Sequence, residues 1–172
     1  SIQCSDASLP TDEGNLVYRA AQMYMQAANI PSYVLDIRID KRIPVFAGLG
    51  GGSADAAAIL RLLNRHFRNA LDMDSLLALG TRLGADVPFC IHGGTCRCEG
   101  IGDILTPIVG HPDYTVLIAK NGEGVSTAEA FRMLDETYAV TPHEIRSSDK
   151  VYAALAANNA PALRHCIYNA FE

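Results

Sequence analysis

Positive charge is scarce in this sequence. Lys and Arg number 14 against 19 Asp and Glu, so the 172 residues carry a net charge of −5. That balance argues against a protein that coats nucleic acid or clings to an anionic membrane. It leaves room for a local phosphate site, because backbone N–H groups at a helix start bind anions without any net positive charge. Charges of either sign make up only 19% of residues, while 49% are apolar, counting Tyr and Cys. A disordered or low-complexity chain is thereby excluded. No apolar run approaches the roughly 20 residues needed to span a bilayer. The five cysteines leave one over in any disulfide scheme. A chain able to bury a core of this size needs no disulfide framework, which points to a reduced, cytoplasmic protein. Ser1-Ile2-Gln3-Cys4-Ser5-Asp6 resembles neither a signal nor a transit peptide. No initiator Met stands at its head, and the expectation is a piece of something longer.

Neither an internal repeat nor a long linker interrupts the chain. Ile2 to Leu9 is expected to be an incoming strand, followed by the turn residues Pro10 to Gly14. Asn15 stands where a helix cap belongs. Leu16, Val17, Ala20, Ala21, Met23, Tyr24, Ala27 and Ala28 then recur at three- and four-residue spacing, as on an amphipathic helix. Tyr33 to Ile39 alternates with period two and predicts a strand. Helices are expected from about Ala54 to Phe67 and from Asp74 to about Leu83. Val87 to Ile91 and Thr95 to Cys98, joined by His92-Gly93-Gly94, are expected to form a hairpin. Tyr114 to Ala119 predicts a strand. Ser126 or Thr127 is expected to cap a helix through Met133, and Asp149 to Phe171 to be mostly helical. A boundary is expected near Gly110-His111-Pro112-Asp113. Strands and helices do not alternate strictly, so the fold class is α+β rather than doubly wound.

The sharpest feature is Gly48-Leu49-Gly50-Gly51-Gly52-Ser53-Ala54-Asp55. Four glycines in five positions are costly in chain entropy. A loop whose backbone must approach a ligand closely needs them; a surface turn seldom does. Ser53 is expected to open the following helix, whose free N–H groups and dipole face the loop. Glycine loop followed by helix N-terminus makes a phosphate cradle. The competing reading is a tight turn with Ser53 as a plain N-cap. No Lys sits inside the loop, so the P-loop pattern fails. The dinucleotide pattern wants a third glycine where Ser53 or Asp55 stands. A dinucleotide-binding oxidoreductase domain, with Asp72 or Asp74 as the ribose-binding acid, therefore stays as an alternative. A non-catalytic nucleotide-binding module is another.

Pro44-x-x-x-Gly48-Leu49-Gly50-Gly51-Gly52-Ser53-x-Asp55-Ala56-Ala57 resembles the central phosphate-binding motif of the GHMP kinases. The triple glycine is similar to the branch that phosphorylates the 2-hydroxyl of a cytidine-diphosphate-linked methylerythritol in the non-mevalonate isoprenoid pathway. Asn15-Leu16-Val17 with Arg19-Ala20-Ala21, Lys41-x-Ile43-Pro44, Leu62-Leu63-Asn64 and Leu83 to Phe89 match that branch. So do Gly100-x-Gly102-acid-x-Leu105-x-Pro107, Ser126-Thr127 and Asn169-x-Phe171-Glu172. The resemblance covers essentially the whole chain. It implies an incomplete N-terminal domain of ribosomal-protein-S5-like fold over residues 1–110, and the opening of a ferredoxin-like C-terminal domain over 111–172. The family's opening lysine motif and closing glycine motif are missing, so the chain is expected not to turn over alone. Another GHMP small-molecule kinase is the nearest alternative.

The resemblance implies ATP as co-substrate and Mg²⁺ as its metal. Phosphoryl transfer asks the protein for positioning and charge neutralisation. The amides of Gly50, Gly51, Gly52 and Ser53, with Gly48 shaping the loop, suit the β- and γ-phosphates. The Ser53 hydroxyl is a candidate ligand for phosphate or Mg²⁺. Ala54 stands where the family carries a second serine, which removes one hydroxyl. Asp86 is implied as the catalytic base for the substrate hydroxyl; a lone Asp in a turn is otherwise most often a cap. Asn15 and Lys41 resemble nucleotide contacts, against the ordinary roles of an N-cap and a solvated strand-end lysine. Thr127 and Phe131 resemble substrate-side positions, Phe131 able to stack on a cytosine ring or simply to pack. The implied partners are small molecules only, with no nucleic acid and no membrane, and oligomeric state is left open. Cys90, His92, Cys96 and Cys98 could converge on zinc if both pairs lay on one hairpin face. They are not Cys-x-x-Cys knuckles, and buried small apolar cysteines are the expectation.

Overall fold

The computed structural model of the chain describes residues 1–45, 47–109, 115–119, 127–140 and 148–169, with backbone alone at 127–128 and 138–140. Two compact units form: Ser1–Val45 with Leu49–Pro107, and Phe46–Gly48 with Ile108–Glu172. The expected break at Gly110 to Asp113 lies outside the described residues, as do Tyr114, Ser126 and Phe171-Glu172.

In the first unit, strand β1 (Ile2–Cys4) pairs in parallel with β2 (Ile37–Ile39), Ile2 opposite Ile37 and Cys4 opposite Ile39. Parallel neighbours need a long crossover, and helix α1 (Leu16–Ala27) provides it. Asn15 caps α1: its Oδ1 accepts from the Val17 N–H at 2.9 Å, and its Nδ2 donates to the Pro10 carbonyl at 2.7 Å. Val17, Ala20, Ala21 and Tyr24 are buried, the one-face spacing read from the sequence. They pack with α2 (Gly51–His66), which buries Ala56, Ala57, Ile59, Leu60, Leu63 and Asn64. Helix α3 (Met73–Leu83) is capped by Asp72, whose Oδ1 accepts from the Ser75 N–H at 2.9 Å. Hydrogen bonds from Ser75 hold the Asp72 carboxyl below the usual carboxylate range. What that cap contributes to stability is therefore present above about pH 4 and lost as pH falls through its lowered pKa.

Asn64 ties three segments together. Its Oδ1 accepts from the Tyr24 hydroxyl and from the Leu71 N–H, each at 3.0 Å, and its Nδ2 donates to the Leu71 carbonyl at 3.0 Å. Tyr24 is fully buried, and burial raises its phenol pKa. Asn64→Ala strips partners from these groups and is expected to cost about 2–4 kcal/mol. Urea unfolding monitored by circular dichroism checks it; an unchanged midpoint would contradict the knot.

Several expectations are corrected. Val87 to Ile91 is not a strand: α4 (Val87–His92) is a helix with Pro88 in its first turn. Proline is at home there, since it lacks only an N–H that the first turn leaves unbonded anyway. Val87 and Ile91, four apart, are both buried, and a five-residue apolar run cannot by itself separate strand from helix. The hairpin forms one segment later, from β3 (Cys96–Glu99) and β4 (Ile104–Pro107), antiparallel with Glu99 opposite Ile104. Its turn takes positive φ at Gly100 (+68°) and Gly102 (+110°). The strand expected over Tyr33–Ile39 shrinks to Ile37–Ile39, because β1 offers only three partners. Tyr33 instead sets its ring edge-on to Phe67, with centroids 5.2 Å apart. Residues 115–119 take no regular secondary structure; Val116, Leu117 and Ile118 are exposed, with no partner strand among the described residues.

The second unit contributes α5 (Thr127–Val140), α6 (Asp149–Ala156) and α7 (Ala160–Cys166). α5 runs a turn and more beyond its expected end at Met133. Among the described residues, two short strand pairs beside seven helices give an α+β architecture. No helix among the described residues is long and apolar enough to cross a membrane.

Candidate functional site

The glycine loop opens α2 three residues earlier than the sequence suggests. Gly50, not Ser53, is the N-cap, in the left-handed conformation (φ +63°, ψ +21°). Glycine reaches that conformation at no steric cost. Gly51, Gly52 and Ser53 form the first turn, and Ala54 is the first residue to donate back, to the Gly50 carbonyl at 2.8 Å. Gly50 supplies no side-chain cap. The first-turn amides thus have no intrahelical partner, and the positive end of a 16-residue helix sits behind them.

The glycines differ in what demands them. Gly48, which falls with the second unit, and Gly50 need positive φ. A Cβ on Gly51 would stand 2.9 Å from Ile43 Cγ2 and 3.0 Å from the Lys41 Nζ. Gly52 has neither constraint: among the described residues nothing lies within 4 Å of a Cβ there. It is exposed at the helix mouth, and packing against the described residues gives no reason for the missing side chain.

Lys41 is not a solvated strand-end lysine. Its side chain is 6% exposed, and its Nζ lies 2.5 Å from Asp55 Oδ2, one helical turn beyond Gly51. Ser5 fixes the approach: its hydroxyl accepts from the Lys41 N–H at 2.8 Å, and its own N–H donates to the Ile39 carbonyl at 3.0 Å. Local sequence patterns assign no role to Ser5 or Asp55. Asp55 was legible only as an acid four residues after Gly51, a spacing that puts both on one helix face.

Asp86 occupies the N-cap position of α4 but makes no capping hydrogen bond. Its Oδ2 lies 3.8 Å from where a Cβ of Gly50 would be. The ordinary capping role is therefore not taken, and an exposed carboxylate with no hydrogen-bond or ion-pair partner among the described residues borders the glycine loop. Two further glycines set its place. A Cβ on Gly80 would meet Ile91 Cδ1 at 2.8 Å and the Pro88 nitrogen at 3.2 Å, so α3 and α4 touch closely just after Asp86. A Cβ on Gly102 would stand 2.8 Å from the Ala85 carbonyl oxygen. Gly102→Ala forces a side chain onto a left-handed residue pressed against backbone, and about 1–3 kcal/mol of destabilisation is expected. Thermal unfolding reads it; an unshifted Tm would mean that the turn does not press on Ala85.

The cysteine cluster does not gather. Cys90 and His92 lie on α4 rather than on a strand, and Cys96 Sγ reaches His92 Nδ1 at 3.5 Å. Among the described residues no three metal-ligating side chains are grouped. Burial, and then the Asp86 carboxylate, push the Cys90 thiol up; burial, Cys96 and Asp86 do the same to Cys98. Asn15 is buried in its cap. Phe131 is half-exposed on α5, and Thr127 opens that helix. Both belong to the second unit.

With this geometry in place, comparison with known proteins is informative. Residues 15–94 match the family described as GHMP kinases N terminal domain. The 4-diphosphocytidyl-2-C-methyl-D-erythritol kinase of Clostridium beijerinckii is 42% identical over 164 residues, covering 92% of this chain and 58% of that protein. The protein of the same name from Alkaliphilus metalliredigens is 51% identical over 135 residues, covering 78% of this chain and 45% of its own. A solved structure described as 4-(cytidine 5'-diphospho)-2C-methyl-D-erythritol kinase aligns with a TM-score of 0.67 at 31% identity. It covers all of this chain, which spans 59% of that one. The chain thus spans roughly half the length of the relatives it matches.

Proposed function

We propose that this chain, whose residues 15–94 match the family described as GHMP kinases N terminal domain, is a GHMP kinase that serves the ATP-dependent phosphorylation of 4-diphosphocytidyl-2-C-methyl-D-erythritol on its 2-hydroxyl. The observation that carries the reading is the opening of α2. First-turn amides with no partner among the described residues, the buried Lys41 ammonium beside Gly51 and the Asp86 carboxylate beside Gly50 gather at one helix end.

In this reading the amides of Gly50, Gly51, Gly52 and Ser53 receive the β- and γ-phosphates of ATP, and Gly48 lets the loop turn toward them. Lys41 adds a fixed positive charge. Asp86 takes the proton of the substrate hydroxyl as its oxygen attacks the γ-phosphorus. The bond from that phosphorus to the bridging oxygen breaks, and ADP leaves with the electron pair. Asp86 also aligns the hydroxyl for attack. Asn15 keeps one N–H and one lone pair beyond its capping bonds, the pair of functions an adenine edge asks for. Thr127 and Phe131 are assigned to the substrate side, Phe131 to stack on the cytosine.

Mg²⁺ commonly keeps several waters and takes one or two protein oxygens beside substrate phosphates. The Ser53 hydroxyl fits that modest demand and would hold it. Bound with the nucleotide, Mg²⁺ supplies charge neutralisation at the phosphate oxygens. Ala54 offers no ligand. We assign the reaction to the cytoplasm, a reading supported by its small, water-soluble substrates. Of the two acids of the dinucleotide reading, Asp72 is engaged in capping α3 and Asp74 lies in the first turn of that helix.

The test is transfer of radiolabelled γ-phosphate from ATP to 4-diphosphocytidyl-2-C-methyl-D-erythritol by the protein as its gene encodes it. Label is expected on the 2-hydroxyl. Transfer to a different alcohol in preference would move the substrate assignment, and stabilisation by NADP in place of ATP–Mg²⁺ would reject the kinase reading.

A further inference from the structure

A buried ammonium beside the positive end of a helix is an unfavourable placement. The macrodipole puts roughly half a positive charge at the N-terminus, and Lys41 Nζ sits 3.0 Å from the space where Gly51 lacks a Cβ. With its side chain 6% exposed, water does little to screen this repulsion. What holds the ammonium there is Asp55. Residues 51 and 55 share one face of α2, and helical side chains lean toward the N-terminus. The Asp55 carboxylate therefore reaches back over the first turn and meets Nζ at 2.5 Å. The absent side chain of Gly51 leaves the room that the ammonium takes.

We propose that Asp55 is a positioning residue for phosphate binding, holding the Lys41 ammonium against the first turn of α2 where it adds its charge to the amide cradle. The inference rests on the phosphate-binding reading above. Asp55 touches no substrate in it and acts through Lys41. The opposite arrangement, with Asp55 competing against phosphate for the ammonium, makes the opposite prediction. Without Asp55 a buried cation loses its counter-ion and moves outward to water, leaving the cradle with amides and dipole alone.

The experiment is calorimetric titration of ATP–Mg²⁺, pyrophosphate and adenosine into the wild type, D55N, K41M and K41M/D55N. D55N is expected to weaken ATP and pyrophosphate by about tenfold, which is 1.4 kcal/mol, and to leave adenosine unchanged. Because Asp55 acts through Lys41, D55N added to K41M is expected to change nothing further. A purely structural role would lower Tm and move all three ligands together, or none. D55N binding as well as or better than wild type would overturn the inference alone, as would additive losses in the double variant. A wild type that binds neither ATP nor pyrophosphate would overturn the phosphate reading and this inference with it.

Discussion

Replacing Asp86 by Asn is expected to lower kcat by about 10²–10⁴-fold, the range typical of a lost general base. ATP affinity is expected to move by less than about threefold, well under 1.4 kcal/mol. The asymmetry follows from where the carboxylate stands. It borders Gly50, makes no side-chain hydrogen bond among the described residues, and does not cap α4. Asparagine keeps the size and loses the capacity to accept a proton. Since no capping bond is lost, Tm should stay within a degree or two. Steady-state kinetics on the protein as its gene encodes it, paired with nucleotide titration, separates the outcomes. Unchanged turnover would remove Asp86 from the chemistry, and a collapse of ATP affinity would recast it as part of the binding surface.

The second large effect is expected at Gly52. A valine there meets no protein atom at its Cβ, so the fold should persist. Helix propensity even favours a side chain over glycine by a few tenths of a kcal/mol. Yet the side chain would fill the mouth of the amide cradle. Losing one or two charge-assisted hydrogen bonds to phosphate, at about 1.5–3 kcal/mol each, weakens ATP on the order of 100-fold. Gly51→Val contrasts with it, because Ile43 and Lys41 already occupy the space and the cost falls on stability. If Gly52→Val bound ATP as wild type does, the glycines would be only a turn and the cradle reading would fail.

The sequence was most legible where one local rule decides the outcome. The spacing of Val17, Ala20, Ala21 and Tyr24 placed the buried face of α1, and Asn15 and Asp72 marked two helix starts. The glycine loop announced a helix N-terminus, though its N-cap was misplaced by three residues, because glycine's weak preferences hide where a helix begins. Legibility ended where a partner decides. Val87 to Ile91 has no periodicity that separates strand from helix, and its burial against Gly80 settles the matter. Tyr33–Ile39 alternates cleanly, but a strand extends only as far as its neighbour. At the site, Lys41 was legible as a nucleotide contact only through resemblance, and no local pattern showed that the fold encloses it. Its pairing with Asp55, and the contact of Gly102 with the Ala85 carbonyl, join residues distant in sequence that no local pattern links.

The central claim is that the amides opening α2 bind phosphate. Its most direct test is ¹⁵N-resolved NMR of the chain titrated with a non-hydrolysable ATP analogue and Mg²⁺, with NADP as the comparison ligand. The account predicts saturable shifts at the N–H groups of Gly50, Gly51, Gly52 and Ser53 with the ATP analogue, and none of that size with NADP. Saturable binding that leaves those four resonances unmoved would contradict it.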